Sequence, residues 1–140
     1  DWGSVGQALN SATLLLLAHE QTKEPRLVAA ASAQLSWVLG VNPLGKALIT
    51  GAGYNPVRAP HHRPSYHLGV AIPGAVGEGP NAMSVGGDPV LQKLFDSQLP
   101  PALRYSDVAE SWATNEPTIY YNAAFVAVAA WFTAREQAAR

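Results

Sequence analysis

Acidic and aromatic side chains occur together in residues 105–123, in a pattern that suits chemistry on sugars. Glu116 lies between Asp107 upstream and Asn122 downstream. The aromatic rings of the run are Tyr105, Trp112, Tyr120 and Tyr121. An aromatic face stacks on the apolar face of a pyranose ring, and a carboxylic acid can protonate a glycosidic oxygen. The two carboxylates are therefore candidates for a general acid and a supporting group.

A second group of chemically capable residues is the triplet His61-His62-Arg63. Arginine offers a planar fork of donors and histidine adds one or two more, which suits hydroxyl and carboxylate partners. The backbone around the triplet is restricted by Pro56, Pro60 and Pro64. Adjacent histidines on an extended segment point to opposite sides and chelate poorly, so we predict no metal site here. Composition alone is also consistent with a plain polar loop cluster.

Both carboxylates also have a purely structural interpretation. Asp107 can cap a turn, and Glu116 can begin the last helix, where a negative charge favours the helix dipole. Pro117, however, disfavours an α-helical backbone at the residue before it. Glu116 should therefore have an extended backbone, which lets its carboxyl reach into a cleft.

The run of residues 105–123 is similar to the second active-site signature of glycoside hydrolase family 9, the family of many bacterial and plant cellulases. The defined positions of that signature are filled by Tyr105, Asp107, Trp112, Glu116, Thr118, Asn122 and Ala123. The loop before residue 64 resembles the end of the first signature of the same family, through Gly53, Asn55, Pro60, His61 and Arg63.

The resemblance implies a role for the matched residues. Glu116 would be the general acid of an inverting hydrolase, with Asp107 as its support. Partial burial against aromatic rings would keep such an acid protonated at working pH. The implied substrate contacts are His61, His62, Arg63, Tyr121 and Trp112, with Tyr121 as part of a sugar platform.

The resemblance also implies a fold. Family 9 catalytic domains are (α/α)6 barrels, so the chain should be all-α, a portion of such a barrel with long irregular active-site loops. Residues 1–140 would be the C-terminal portion of one catalytic domain. In the family, the Asp base belongs to an Asp-Ala-Gly-Asp type motif, and none of Asp1, Asp88, Asp96 or Asp107 lies in one. The chain alone should therefore be an incomplete hydrolase, completed by the N-terminal portion of the domain.

The expected activity is that of an endoglucanase or other cellulase, which hydrolyses β-1,4 bonds in cellulose or related β-glucans outside the cell, secreted or in the periplasm of a bacterium. Two alternatives stay open. One is an exo-acting β-glucosaminidase on chitosan oligosaccharides, with the same fold, and the other is a non-catalytic helical interaction module. The implied chemistry requires no cofactor, and the resemblance allows a structural calcium ion in the complete domain.

Long helices must position these loops. Hydrophobic periodicity and breaker residues predict helices over 4–20, 25–39 and 118–137, and a shorter one over 88–96. Ser4 and Asp88 are the expected N-caps, and one helical turn is expected over 44–48 within a loop of residues 43–87. Leu14 to Leu17 predict burial between neighbouring helices. The predicted buried face of the last helix is Ile119, Ala123, Val126, Ala127 and Ala130.

Bulk composition excludes several other functions. The formal net charge of −1 gives no electrostatic reason to expect nucleic acid or an anionic membrane as partner. The absence of cysteine excludes disulfides and thiolate metal sites. Charged residues make up 14% of the 140, against about 25% in typical soluble domains. This deficit indicates that part of the surface is normally covered.

Overall fold

A computed structural model describes residues 2–83 and 86–138, so Asp1 lies outside the described residues. In chain order the elements are α1 (Ser4–Thr22), α2 (Pro25–Val38), α3 (Arg63–Leu68), α4 (Pro89–Asp96), a 3₁₀ turn (Pro101–Leu103), α5 (Trp112–Asn115) and α6 (Ile119–Ala138). Within these residues there are two isolated β-bridges and no β-strand. The predicted all-α class is confirmed.

The three long helices form the frame of the chain, and their predicted ranges are confirmed to within two residues. Helix α1 packs against both α2 and α6. The N-cap of α1 is Gly3 in the left-handed conformation, with φ of 65°. The prediction of Ser4 as cap is wrong because Ser4 already lies inside the helix, where its hydroxyl donates to the carbonyl of Glu78 at 3.5 Å.

Burial of the helix faces differs from the predicted pattern. Leu16 is buried, but Leu14 is 68% exposed and Leu17 is 59% exposed, because they lie away from the faces of α1 that pack on α2 and α6. On α6 the predicted buried face is wrong. Ile119 and Val126 are exposed, and the buried residues are Tyr121, Ala124 and Val128. Periodicity alone did not identify which apolar stripe of α6 faces α1.

The long loop between α2 and α4 runs partly through the core. The predicted helical turn over 44–48 is wrong, because the Asn42 side chain accepts from the Leu44 N–H and donates to the Lys46 carbonyl, which holds a non-helical turn. The chain then passes through the core at Ala47, Leu48 and Ile49, which are fully buried or nearly so. The helical turn of this loop is α3, which has proline in its first turn and Gly69 in the left-handed conformation at its end.

Asp88 is confirmed as the cap of α4 and also joins α4 to α5. One carboxylate oxygen accepts from the N–H groups of Val90 and Leu91 at 2.9 and 2.8 Å. The other accepts from the Ala113 N–H at 2.8 Å and the Ser111 hydroxyl at 3.3 Å. Asp88 is completely buried, so this single carboxylate sets the position of the segment that leads to Glu116.

We expect Asp88→Ala to lower the free energy of unfolding of the purified protein by about 3 kcal/mol, because it removes a helix cap and leaves buried N–H donors without an acceptor. Urea titration followed by circular dichroism measures the change. The matched control is Asp96→Ala at the exposed end of α4, for which we expect a change under about 0.5 kcal/mol. Equal losses in the two variants would contradict the assigned role of Asp88.

Candidate active site

Glu116 lies directly after the short helix α5, in the conformation that Pro117 predicts. Its backbone is extended, with φ of −81° and ψ of 125°, and its N–H donates to the carbonyl of Trp112. The side chain is partly buried. Helix α6 begins only at Ile119, so Glu116 does not begin that helix. The interpretation of Glu116 as a charge in the first turn of the last helix is therefore wrong.

Asn115 joins the two motifs that are far apart in sequence. Its side-chain amide is completely buried, donates to the carbonyl of Ala59 at 2.6 Å and accepts from the Tyr105 hydroxyl at 2.7 Å. Its backbone carbonyl accepts from the His61 N–H at 2.9 Å. The histidine loop is thus held against the residue that precedes Glu116. The sequence analysis missed Asn115 because the family signature specifies no residue type at this position. Its position directly before Glu116 is the feature of the sequence that could have indicated a role in the site.

The two histidines of the loop are held in different ways. The His61 Nδ1 contacts the carbonyl of Ala109. A carbonyl can only accept, so neutral His61 carries its proton on Nδ1 and presents Nε2 as an acceptor. The Nδ1 of His62 pairs with the Ser65 hydroxyl at 2.9 Å, and that hydroxyl accepts from the Ile72 N–H at 3.1 Å. A hydroxyl oxygen can accept two hydrogen bonds, so this contact holds the His62 ring in place and is compatible with either tautomer of the ring.

Open grooves adjoin this loop on two sides. One groove, of about 340 Å³, is lined by His61, His62, Arg63, Tyr66, His67, Ala109 and Glu110. The other, of about 370 Å³, is lined by His62, Pro73, Gly74, Ala75, Pro117, Thr118, Ile119 and Asn122. His62 lines both grooves. Pro117, the residue that follows Glu116, lines the second groove. The predicted substrate-contact residues of the triplet are thus on a concave surface near the candidate acid.

Asp107 holds the histidine loop through its backbone. Its carboxylate accepts from the N–H groups of Arg58 and Ala59 at 2.9–3.1 Å and pairs with the Lys46 ammonium at 2.8 Å. Burial alone would raise the pKa of Asp107, but the Lys46 ammonium and the two backbone donors outweigh it, so the pKa lies below its ordinary value. These contacts suit the support role predicted for Asp107, and its cationic partner is Lys46 and not a member of the triplet.

Tyr121 is buried, with 7% of its surface exposed. Its ring fills the space beside two glycines of the α1 start, since an added Cβ on Gly3 or Gly6 would lie 2.0 or 2.1 Å from it. The hydroxyl donates to Glu78 Oε2 at 3.1 Å. A stacking platform needs an open ring face, which Tyr120 offers in this chain at 62% exposure. A sugar contact by Tyr121 stays a prediction.

Glu78 is a candidate site residue that the sequence interpretation missed. It is 2% exposed and lies in the glycine-rich run of residues 74–81. Burial raises the pKa of Glu78 above its ordinary value, against the opposing effects of hydrogen bonds from Tyr121 and Trp2, and the charge of Glu116 adds a smaller rise. The sequence feature that could have identified it is that Glu78 is the sole acidic residue between Glu24 and Asp88.

Trp112 lies at the start of α5, partly buried. Its indole N–H donates to the Gly87 carbonyl at 3.3 Å, and its ring is 5.6 Å from that of Trp2. A contact with substrate stays a prediction for this ring.

Among residues 2–83 and 86–138, no three His, Asp or Glu side chains converge in a way that could hold a metal ion. No helix in the same residues is long and apolar enough to cross a membrane.

Comparisons with known proteins show which family the chain resembles. The family model described as Glycosyl hydrolase family 9 matches residues 1–129. The chain is 31% identical to Endoglucanase C of Cellulomonas fimi, over 93% of this chain. It is 32% identical to a cellulose 1,4-beta-cellobiosidase of Acetivibrio thermocellus, over 95% of this chain. The chain spans 12% and 15% of the lengths of those two relatives.

Solved structures show the same similarity at the level of the fold. A metagenome-derived family 9 endoglucanase superposes with a TM-score of 0.81 at 44% identity, covering 94% of this chain and 23% of that one. AaCel9A in complex with cellobiose-like isofagomine superposes with a TM-score of 0.80 at 36% identity, covering 92% of this chain and 25% of that one. The predicted fold, a portion of an (α/α)6 barrel, is confirmed by these neighbours.

Proposed function

This chain belongs to glycosyl hydrolase family 9, and we propose that it forms the acid-bearing part of an enzyme that hydrolyses β-1,4-glycosidic bonds in cellulose or a related β-glucan. The observation that carries the proposal is the Asn115 junction. It holds the His61–Arg63 loop against the residue that precedes Glu116, and His62 of that loop lines one groove together with Pro117, the residue that follows Glu116.

The proposed mechanism is a single displacement that inverts the anomeric carbon. Glu116 protonates the oxygen of the leaving sugar while a carboxylate on the opposite face activates water. In inverting enzymes the two carboxyl groups stand roughly 6.5–9.5 Å apart, which leaves room for that water. His61 supplies an acceptor and His62 its second ring nitrogen to hydroxyl groups of the neighbouring rings, and Arg63 adds donors.

The base is proposed to come from outside the described residues. Asp88 is completely buried as a helix cap, and Asp107 is engaged by Lys46 and two backbone N–H groups. Neither carboxylate is free to activate water, and Asp96 belongs to the exposed end of α4. We therefore propose that an N-terminal portion of the same catalytic domain completes the site and covers the exposed leucines of α1.

The test compares the 14.8 kDa chain with the complete catalytic domain that contains it. Cello-oligosaccharides and chitosan oligosaccharides of matched length are the substrates, and proton NMR records the anomer formed first. We expect turnover only by the complete domain, on the cello series, with the α-anomer appearing first. Hydrolysis by the 14.8 kDa species alone would refute the incomplete-site proposal. A β-anomer as first product would refute inversion, and turnover on the chitosan series alone would favour the glucosaminidase.

A further inference from the structure

A third groove, the distal groove, continues the two that adjoin the histidine loop. It has a volume of about 310 Å³ and shares Tyr66 and Ala109 with the middle groove, which His61 lines. The middle groove in turn shares His62 with the groove that Pro117 lines. The three grooves are therefore linked in series. Each is about as large as the smallest pockets that hold small ligands, which start near about 300 Å³.

Tyr66 stands between the middle groove and the distal groove and offers an open aromatic surface to both. It is 75% exposed. The neighbouring His67 ring lies 6.0 Å away at 75°, in an edge contact. An exposed aromatic ring can stack on the apolar face of a pyranose. Tyr66 thus meets the requirement of an open ring, which the buried Tyr121 does not.

The backbone fixes Tyr66 relative to His62. The Tyr66 N–H donates to the His62 carbonyl at 3.0 Å, and the Tyr66 carbonyl accepts from the Gly69 N–H at 3.2 Å. The Ser65 hydroxyl pairs with the His62 ring at 2.9 Å and accepts from the Ile72 N–H at 3.1 Å. A ligand that contacts His62 therefore meets the tyrosine at a set position, and little ordering of this loop opposes binding.

Arg58 supplies a polar group to the distal groove. Its backbone N–H donates to both oxygens of the Asp107 carboxylate, at 3.1 and 3.0 Å, which fixes the start of the side chain. Its guanidinium makes no hydrogen bond or ion pair with the residues that the structure describes. A free planar fork of donors suits sugar hydroxyls. Apolar and aromatic walls with a few polar groups are the usual lining of a small-molecule site.

We propose that Tyr66 and Arg58 form a distal subsite, in which the tyrosine ring stacks on a sugar unit beyond those that the His61–Arg63 triplet contacts. This inference rests on the proposed function, which supplies the β-linked glucan chain. With one sugar unit in each groove, cellotriose bound across the cleavage point ends before the distal groove, whereas cellohexaose reaches it. Long oligosaccharides therefore gain a contact that short ones lack.

The test measures how the effect of Tyr66→Ala on the complete catalytic domain depends on substrate length. We expect kcat/KM on cellohexaose to fall about five- to tenfold, the size of a lost aromatic contact, with cellotriose changed by less than about twofold. Tyr66→Phe keeps the ring and should match wild type on both substrates. Arg58→Ala retains the backbone contact with Asp107 and should show the same dependence on length.

The matched control is Tyr54→Ala. Tyr54 is 72% exposed, close to the exposure of Tyr66, but it lines none of the three grooves. Its replacement should leave kcat/KM unchanged on both cellotriose and cellohexaose.

The second readout is binding, which needs no turnover. Calorimetric titration of the complete Glu116→Gln domain with cellohexaose, with and without Tyr66→Ala, should show a loss of affinity of the same size as the loss in kcat/KM. Thermal unfolding of each variant verifies that it is folded.

Equal losses on cellotriose and cellohexaose overturn the distal subsite, and so does unchanged affinity for cellohexaose in the Tyr66→Ala variant. Loss of folding in Tyr66→Ala would show that another part of the domain covers the ring, which also overturns the stacking role. A complete domain that does not hydrolyse β-glucan overturns the proposed function instead, while calorimetry still reports whether Tyr66 binds the oligosaccharide. The two failures are therefore distinguishable.

Discussion

Glu116→Gln in the complete catalytic domain is expected to lower kcat on cellotetraose by about 10²- to 10⁴-fold, the usual contribution of a positioned general acid. Glutamine preserves the shape of the side chain but carries no acidic proton. A sugar hydroxyl is a poor leaving group without protonation, so the loss should fall on kcat. Steady-state kinetics measures turnover, and calorimetric titration with cellotetraose should show an affinity within a few-fold of wild type.

The leaving group provides the discriminating control for this variant. A dinitrophenyl β-cellobioside releases a stable phenolate without protonation, so its turnover should fall far less than that of cellotetraose. Glu24→Gln makes the same chemical change in the turn between α1 and α2, beside Arg26, and should leave both substrates unaffected. Equal losses on the two substrates would show that the variant had damaged the site in general, and unchanged turnover would favour a non-catalytic helical module.

Asp107→Ala is expected to have the second-largest effect, on stability and turnover together. The substitution removes the anionic partner of the Lys46 ammonium, which then keeps only the carbonyls of Asn55 and Pro56, and it leaves two backbone N–H groups without their acceptor. The Lys46 and Asp107 side chains are both mostly buried. Loss of one partner of such a pair should lower the free energy of unfolding by about 3 kcal/mol. The freed loop carries His61, and a misplacement of about 1 Å at a substrate contact can cost about 10²-fold in rate.

The pH dependence of stability gives this prediction its specific signature. The pKa of Asp107 is lowered in the folded chain, so its contribution is present above the unfolded-state value of about 4 and is lost as pH falls from there through the folded value. The stability difference between wild type and Asp107→Asn, measured by urea titration, should therefore shrink as pH falls below about 4. A difference that stayed constant from neutral pH to acid would contradict the ionic role, and Asp96→Asn is the exposed control.

Local sequence signals were sufficient for much of the secondary structure. Pro25 lies in the first turn of α2, Asp88 caps α4, and Pro117 extends the backbone at Glu116. Each of these effects acts within one turn of the chain, through fixed φ, capping or helical periodicity. The spacing of residues in the two motifs also identified the family, because a motif is a linear property.

Contacts between distant residues depended on the tertiary structure. No local rule places Asn115 against Ala59, turns the Tyr121 ring onto Gly3 and Gly6, or pairs Tyr121 with the buried Glu78. The apolar faces of α1 and α6 show the same limit, since periodicity reveals a stripe but not what covers it. The sequence by itself determined which helices form and which residues can do chemistry, because those follow from neighbours along the chain. Only the packed structure decided which side chains are buried and which distant residues meet, because burial and long-range hydrogen bonds act through space.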